Sequence, residues 1–267
     1  MTPLDRTSGA DARPGTAPRD PGPPTAARSD HRPRTSWRLA AAALLMGSAL
    51  LQLHAATERW IVAATTRVFD DAGIQDGRFD HAFPSREWEA LGDAAETHGV
   101  GLLLLALAVV AVARATGITG AAGLAGTAVI AATSAAAGAH ALLSGITGTP
   151  SPLAGTYLPM LALSTAGCVA VAVAVVRGRA PRGTAWDALG AVLVVGALPV
   201  GQLVALFAIA PVIWGGTYSD TPIHTESVVA TSTACAGVAM LVSALLARHR
   251  RARGPLVPRD VPAEEAA

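Results

Sequence analysis

Seven histidines occur in this chain of 267 residues, and four of them stand at the ends of apolar runs. His54 closes the first run, His98 opens the second, His140 lies near the end of the third, and His224 precedes the sixth. If successive runs cross a bilayer in alternate directions, all four arrive at one face. Glu58, Asp80, Glu96, Asp220 and Glu226 fall at the same level, and His81 lies in the segment between the first two runs. Neutral imidazole is a common ligand for Zn, Cu and haem iron, and carboxylates complete or orient such sites. His54, His98, His140 and His224 are therefore the candidate metal- or haem-binding set. The plainer alternative is four interfacial histidines, each solvated or hydrogen-bonded separately. Nothing in the spacing singles out a metal: there is no H-E-x-x-H, no pair of histidines at i, i+4, and no Cys-x-x-Cys.

A second polar group falls inside an apolar run. Pro199-Val200-Gly201-Gln202 interrupts the fifth run near its middle. Proline removes a backbone donor and clashes with the preceding turn, so a kink is expected there. Gln202 must then face a partner helix or a wet cavity, and it is the candidate intramembrane polar site. Such breaks mark binding sites in transporters, but kinked structural helices are common, and no resemblance between the two halves gives an inverted repeat.

These residues need elements to hold them, and the charge distribution identifies the elements. Charged residues make up 15% of the chain, below the roughly 25% of soluble domains. No charge occurs from Ala115 to Val176, from Ala188 to Ser219, or from Ser227 to Ala247. A charge at mid-bilayer costs about 2.5–3.5 kcal/mol, and a span needs about 20 apolar residues. The expected fold is all-α: a polytopic transmembrane bundle of about six spans, at 39–56, 97–113, 119–143, 155–176, 188–209 and 227–247. Pro150 and Pro152 turn the chain between the third and fourth. The first span is short and could instead be a signal peptide, although a long polar region precedes it and no clean cleavage site follows.

Residues 1–36, rich in Pro, Gly, Ala and Arg without periodicity, are expected to form a disordered cytoplasmic tail. Residues 248–267 form a second tail, basic and then Pro-rich. All 20 basic residues are arginine, as in a high-GC coding sequence. Their placement sets orientation. Arg28, Arg32, Arg34 and Arg38, then Arg114, then Arg177, Arg179 and Arg182, then Arg248 onward share one face, which the positive-inside rule makes cytoplasmic. Arg59, Arg67, Arg78 and Arg86, in the segment 57–96, run against the rule. Both termini are expected inside, in a bacterial cytoplasmic membrane.

The third span is nearly all small residues, including Gly123, Gly126, Ser134 and Gly138, which lets backbones approach closely. It is expected at the centre of the bundle. In the outer segment 57–96, Trp60, Ile61, Ala64 and Val68 suit a short amphipathic helix. Pro84-Ser85 can start another, with Trp88, Leu91, Ala95 and His98 on one face. The segment either caps the bundle or, as the favoured reading, lies in the interface with Trp60 and Trp88 as belt residues. Cys168 and Cys235 are expected to be inert thiols.

The composition excludes little beyond nucleic acid binding, for which a net charge of +1 gives no case. The expected partners are the lipid bilayer and other membrane proteins or further copies of the chain. The leading function is a non-enzymatic membrane protein, transporter-like or a structural component of the envelope. A metal- or haem-binding outer-face protein and an enzyme with its site under the first outer segment are the alternatives.

Overall fold

The computed structural model describes residues 31–66, 71–177, 184–214 and 221–252. Arg28, Arg67, Val68, Asp70, Arg179, Arg182 and Asp220 lie outside them, as do most residues of both expected tails. Every regular element among the described residues is helical. Helix α1 (His31–Thr57) begins within the segment read as tail and continues through a π-helical stretch, Glu58–Ala63, to a last turn at Ala64–Thr66. Then follow α2 (Ala94–Thr116), α3 (Ala121–Thr147), α4 (Tyr157–Arg177), α5 (Ala185–Gly196), α6 (Pro199–Val204, prolonged to Trp214) and α7 (Thr225–Ala252). Five helices are long and apolar enough to cross a membrane; α5 and α6, bent by 70° at their junction, make a sixth if counted as one broken span.

Local chemistry sets the helix ends. Gly117 adopts φ +75° and, with Ile118, donates its N–H to the Ala113 carbonyl, closing α2 with a left-handed cap. Gly148, at φ +66°, ends α3 just before Pro150. At the start of α5 the Thr184 hydroxyl accepts from the Asp187 N–H while the Asp187 carboxylate accepts from the Thr184 N–H, a reciprocal capping box. Pro199 opens α6, where its missing N–H leaves no bond unmade.

Helix α1 lies along α2 and α7, α3 packs on α2, α4 on α3, and α5 on α7. Leu45, Leu105, Val109, Ile130, Val194, Leu198 and Met240 form the apolar centre. Glycines set two close crossings. A Cβ on Gly138 would lie 2.8 Å from the Gly99 carbonyl oxygen, and one on Gly126 would lie 2.7 Å from that of Gly167. The small residues of α3 thus serve two neighbours, α2 and α4, and the most buried helix is α2. The sequence placed α3 centrally because its faces are uniformly small. Small residues permit close approach but carry little area to bury. Leu107, Leu124, Leu158, Val192, Phe207 and Val212 point away from the bundle, as lipid-facing side chains do.

Two expectations for the segment after α1 are corrected. Trp60, Ile61 and Ala64 belong to a continuation of α1 itself, with Trp60 and Ala63 buried. The segment from Pro84 to Leu91 is not helical, and the next helix starts only at Ala94, after Gly92 at φ +52°. Trp88 and Leu91 are buried nonetheless. Trp60 and Trp88 are therefore core residues rather than an interfacial belt, and the segment caps the bundle.

Arg38, read from the sequence as one of several orienting arginines, has a specific partner. Its Nε and Nη2 donate to the two Asp187 carboxylate oxygens at 2.9 and 2.7 Å. Asp187 also accepts from the Ser243 hydroxyl at 2.6 Å. This buried fork ties α1 to α5 and α7 at the end of the bundle opposite the capping segment.

Candidate functional site

At the capped end, the chain after α1 folds back into the bundle mouth. Phe79, His81, Ala82 and Pro84 are buried, and Asp76 holds the turn before them by accepting from the Arg78 N–H. Arg59, fully buried at 0% exposure, organises this plug. Its Nη1 donates to Glu226 Oε1 at 2.7 Å and lies 3.8 Å from Asp80 Oδ1; its other nitrogens donate to the Ile74 and Asp76 carbonyls at 3.3–3.4 Å. The second Glu226 oxygen accepts from Trp60 Nε1 at 2.7 Å. A buried charge needs such full pairing, because each ion taken from water loses several kcal/mol of solvation.

Loss of solvent moves Asp80, whose side chain is partly buried, and His81, which is fully buried, in opposite directions. Loss of solvent raises the Asp80 carboxyl to about 6, against the pull of Arg59. It lowers the His81 imidazole to about 3, although Glu226 opposes it. His81 is thus a neutral base at physiological pH. Neither of its ring nitrogens has a hydrogen-bond partner among the described residues. Its ring meets that of His98 edge-on, with centroids 5.2 Å apart and planes at 72°.

His98 lines a cavity of about 40 Å³. The other polar walls are Gln52, Ser134, Tyr157, Gln202 and Glu226; Ala82 and Phe83 bring the plug to it, and Ala197 and Pro199 bring the α5–α6 bend. Gln52, His98 and Ser134 are each at least 96% buried. Gln52 Oε1, His98 Nδ1 and Ser134 Oγ make no hydrogen bond to another group among the described residues. Buried polar atoms are rarely left so, and such groups ordinarily serve a water, an ion or a ligand. A volume of this kind admits roughly two or three waters or one ion, since a water needs about 10–15 Å³.

The four histidines singled out by sequence go to four different settings. His54 is half-exposed, 3.4 Å from Asp93, and its ligand atom lies within 4.8 Å of those of Glu58 and Asp93. His140 is fully buried with both ring nitrogens engaged: Nε2 donates to the Pro84 carbonyl at 2.9 Å, which makes Nδ1 the acceptor for the Ser151 hydroxyl at 2.6 Å. His224 sits at φ +61° with its ring beside those of Trp60 and Trp214. Only His98 reaches the cavity. Gln202 reaches it as well, so two residues chosen for separate reasons share one wall.

By sequence, His81 is only a histidine of the segment between the first two runs, and Arg59 is one of four arginines that run against the positive-inside rule. The pattern that could have found Arg59 is its apolar surroundings, with Trp60, Ile61 and Val62 following directly. Nothing local marks His81, whose role comes from a chain reversal. No protein-family model, no curated protein and no solved structure matches this chain.

Proposed function

We propose that the chain is a non-enzymatic, transporter-like protein of the cell membrane, with both termini cytoplasmic, that binds an ion or a small polar solute beneath its outer cap. The observation that carries this reading is the cavity at the α5–α6 bend, lined by the buried residues Gln52, His98 and Ser134, each with a polar atom that has no hydrogen-bond partner among the described residues. Broken helices beside membrane-depth polar groups are a recurring way to build a solute site. A structural bundle would gain nothing from leaving those groups unpaired, which costs about 1–3 kcal/mol each. The arginines of the cytoplasmic face, among them Arg34, Arg114 and Arg177, support the orientation.

Thiol accessibility tests the reading. With Cys168 and Cys235 replaced by alanine, Ser134→Cys or Gln202→Cys in sealed vesicles should react with a small water-soluble thiol reagent from at least one side. A solute site needs such a water path. Complete resistance of both thiols, in protein that folds and inserts, would leave the structural-component reading in its place.

A further inference from the structure

We propose that His81 and His98 together bind one transition-metal ion, of the imidazole-preferring class that includes zinc and copper, at the edge of the cavity. The inference rests on the reading of that cavity as an ion or solute site and names the ion. Three buried ring nitrogens, both of His81 and Nδ1 of His98, have no hydrogen-bond partner among the described residues. His81 is 1% exposed and His98 4%, so solvent does not serve them from the surface. Their spacing matches joint ligation. Two imidazoles bound to one ion at about 2.0–2.1 Å with a tetrahedral angle between them have ring centres roughly 5 Å apart. The observed separation is 5.2 Å.

The surroundings suit a cation. Two carboxylates, Asp80 and Glu226, stand against the single guanidinium of Arg59. His98 is held by the close α2–α3 crossing, since its neighbour Gly99 meets Gly138 backbone to backbone. His81 is held by the plug, which is anchored at Phe79 and at the Pro84 carbonyl. Two nitrogen ligands on separate elements are then present, and because His98 also lines the cavity, water or a small ligand held there would complete the shell. The group formed by His54, Glu58 and Asp93 is a different place, on the surface, with His54 and Asp93 exposed.

Equilibrium dialysis of the full chain in detergent, first stripped with chelator, tests this with Zn2+ and, under anaerobic reductant, with Cu+. The expected result is one ion per chain for at least one of the two. His81→Asn and His98→Asn should each weaken binding at least 100-fold, and His54→Ala should leave it within about twofold. X-ray absorption of the loaded parent should show two imidazole ligands, which keeps the test decisive if the asparagine variants do not fold. A parent that binds neither ion overturns the proposal, as does binding abolished by His54→Ala. Failure here with a reactive Ser134→Cys thiol removes only the metal; failure of both removes the solute site too.

Discussion

At the scale of single residues, Arg59 carries the heaviest demand. Its charge is wholly removed from solvent and is balanced by Glu226 at 2.7 Å and by two backbone carbonyls. Breaking a buried pair from one side costs about 3–5 kcal/mol, because the surviving ion keeps its desolvation without its partner. Arg59→Ala should therefore lower the thermal unfolding midpoint in detergent severely. Arg78→Ala, at a guanidinium 41% exposed with ion-pair distances of 3.4 and 3.6 Å, should cost about 0–1 kcal/mol in the same assay. Equal effects would contradict the assignment. Trp60→Phe keeps an aromatic ring but removes the Nε1 donor to Glu226 and leaves part of the buried indole volume empty, so it should cost at least about 1.5–3 kcal/mol, the range for a bond to a charged group. Little of this was legible in the sequence. Residue type and level gave Glu226 and His98, but pairing across 167 positions between Arg59 and Glu226 has no local signature.

The elements were far more legible, because uncharged length and proline position act locally. The charge-free stretches located α3, α4 and α7, and Pro199 located the break between α5 and α6. The helix that was expected to follow Pro84 was misplaced for a physical reason. Its apolar residues are buried at helical spacing, yet Gly92 at positive φ separates them from the helix that begins at Ala94. The same scale supplies a test of the packing. Gly138→Val forces a side chain into the Gly99 backbone and should cost at least about 1–3 kcal/mol, the usual penalty of overpacking. Gly120→Val has open space around its Cβ, so only its φ of +85° opposes the change. A Cβ on Gly201 would collide with the Gly196 carbonyl, so Gly201→Val should disturb the bend and, through Gln202, the cavity wall. Gly201→Val that leaves the reactivity of Ser134→Cys and the unfolding midpoint unchanged would show that the bend does not shape the site.

At the scale of the whole molecule, two polar clusters stand at opposite ends of an apolar bundle. Arg38, Asp187 and Ser243 tie the helices together at one end; Arg59, Glu226, Trp60 and the plug do so at the other. The sequence showed the bundle, its arginine placement set an expected orientation, and it brought His98 and Gln202 to notice separately. It could not show that they face the same space, since that depends on the α5–α6 bend and on the fold-back of residues 79–84. Reporter fusions should find both termini on the cytoplasmic side; a periplasm-active reporter fused at the C-terminus would reverse the orientation. The proposed solute site is the space beneath the cap. A high-resolution experimental density map of the full chain in a lipid nanodisc tests it most directly. Ordered density for water or an ion is expected within hydrogen-bonding or coordination distance of Gln52 Oε1, His98 Nδ1 and Ser134 Oγ. A dry cavity, with those three atoms paired to other protein groups, would contradict it.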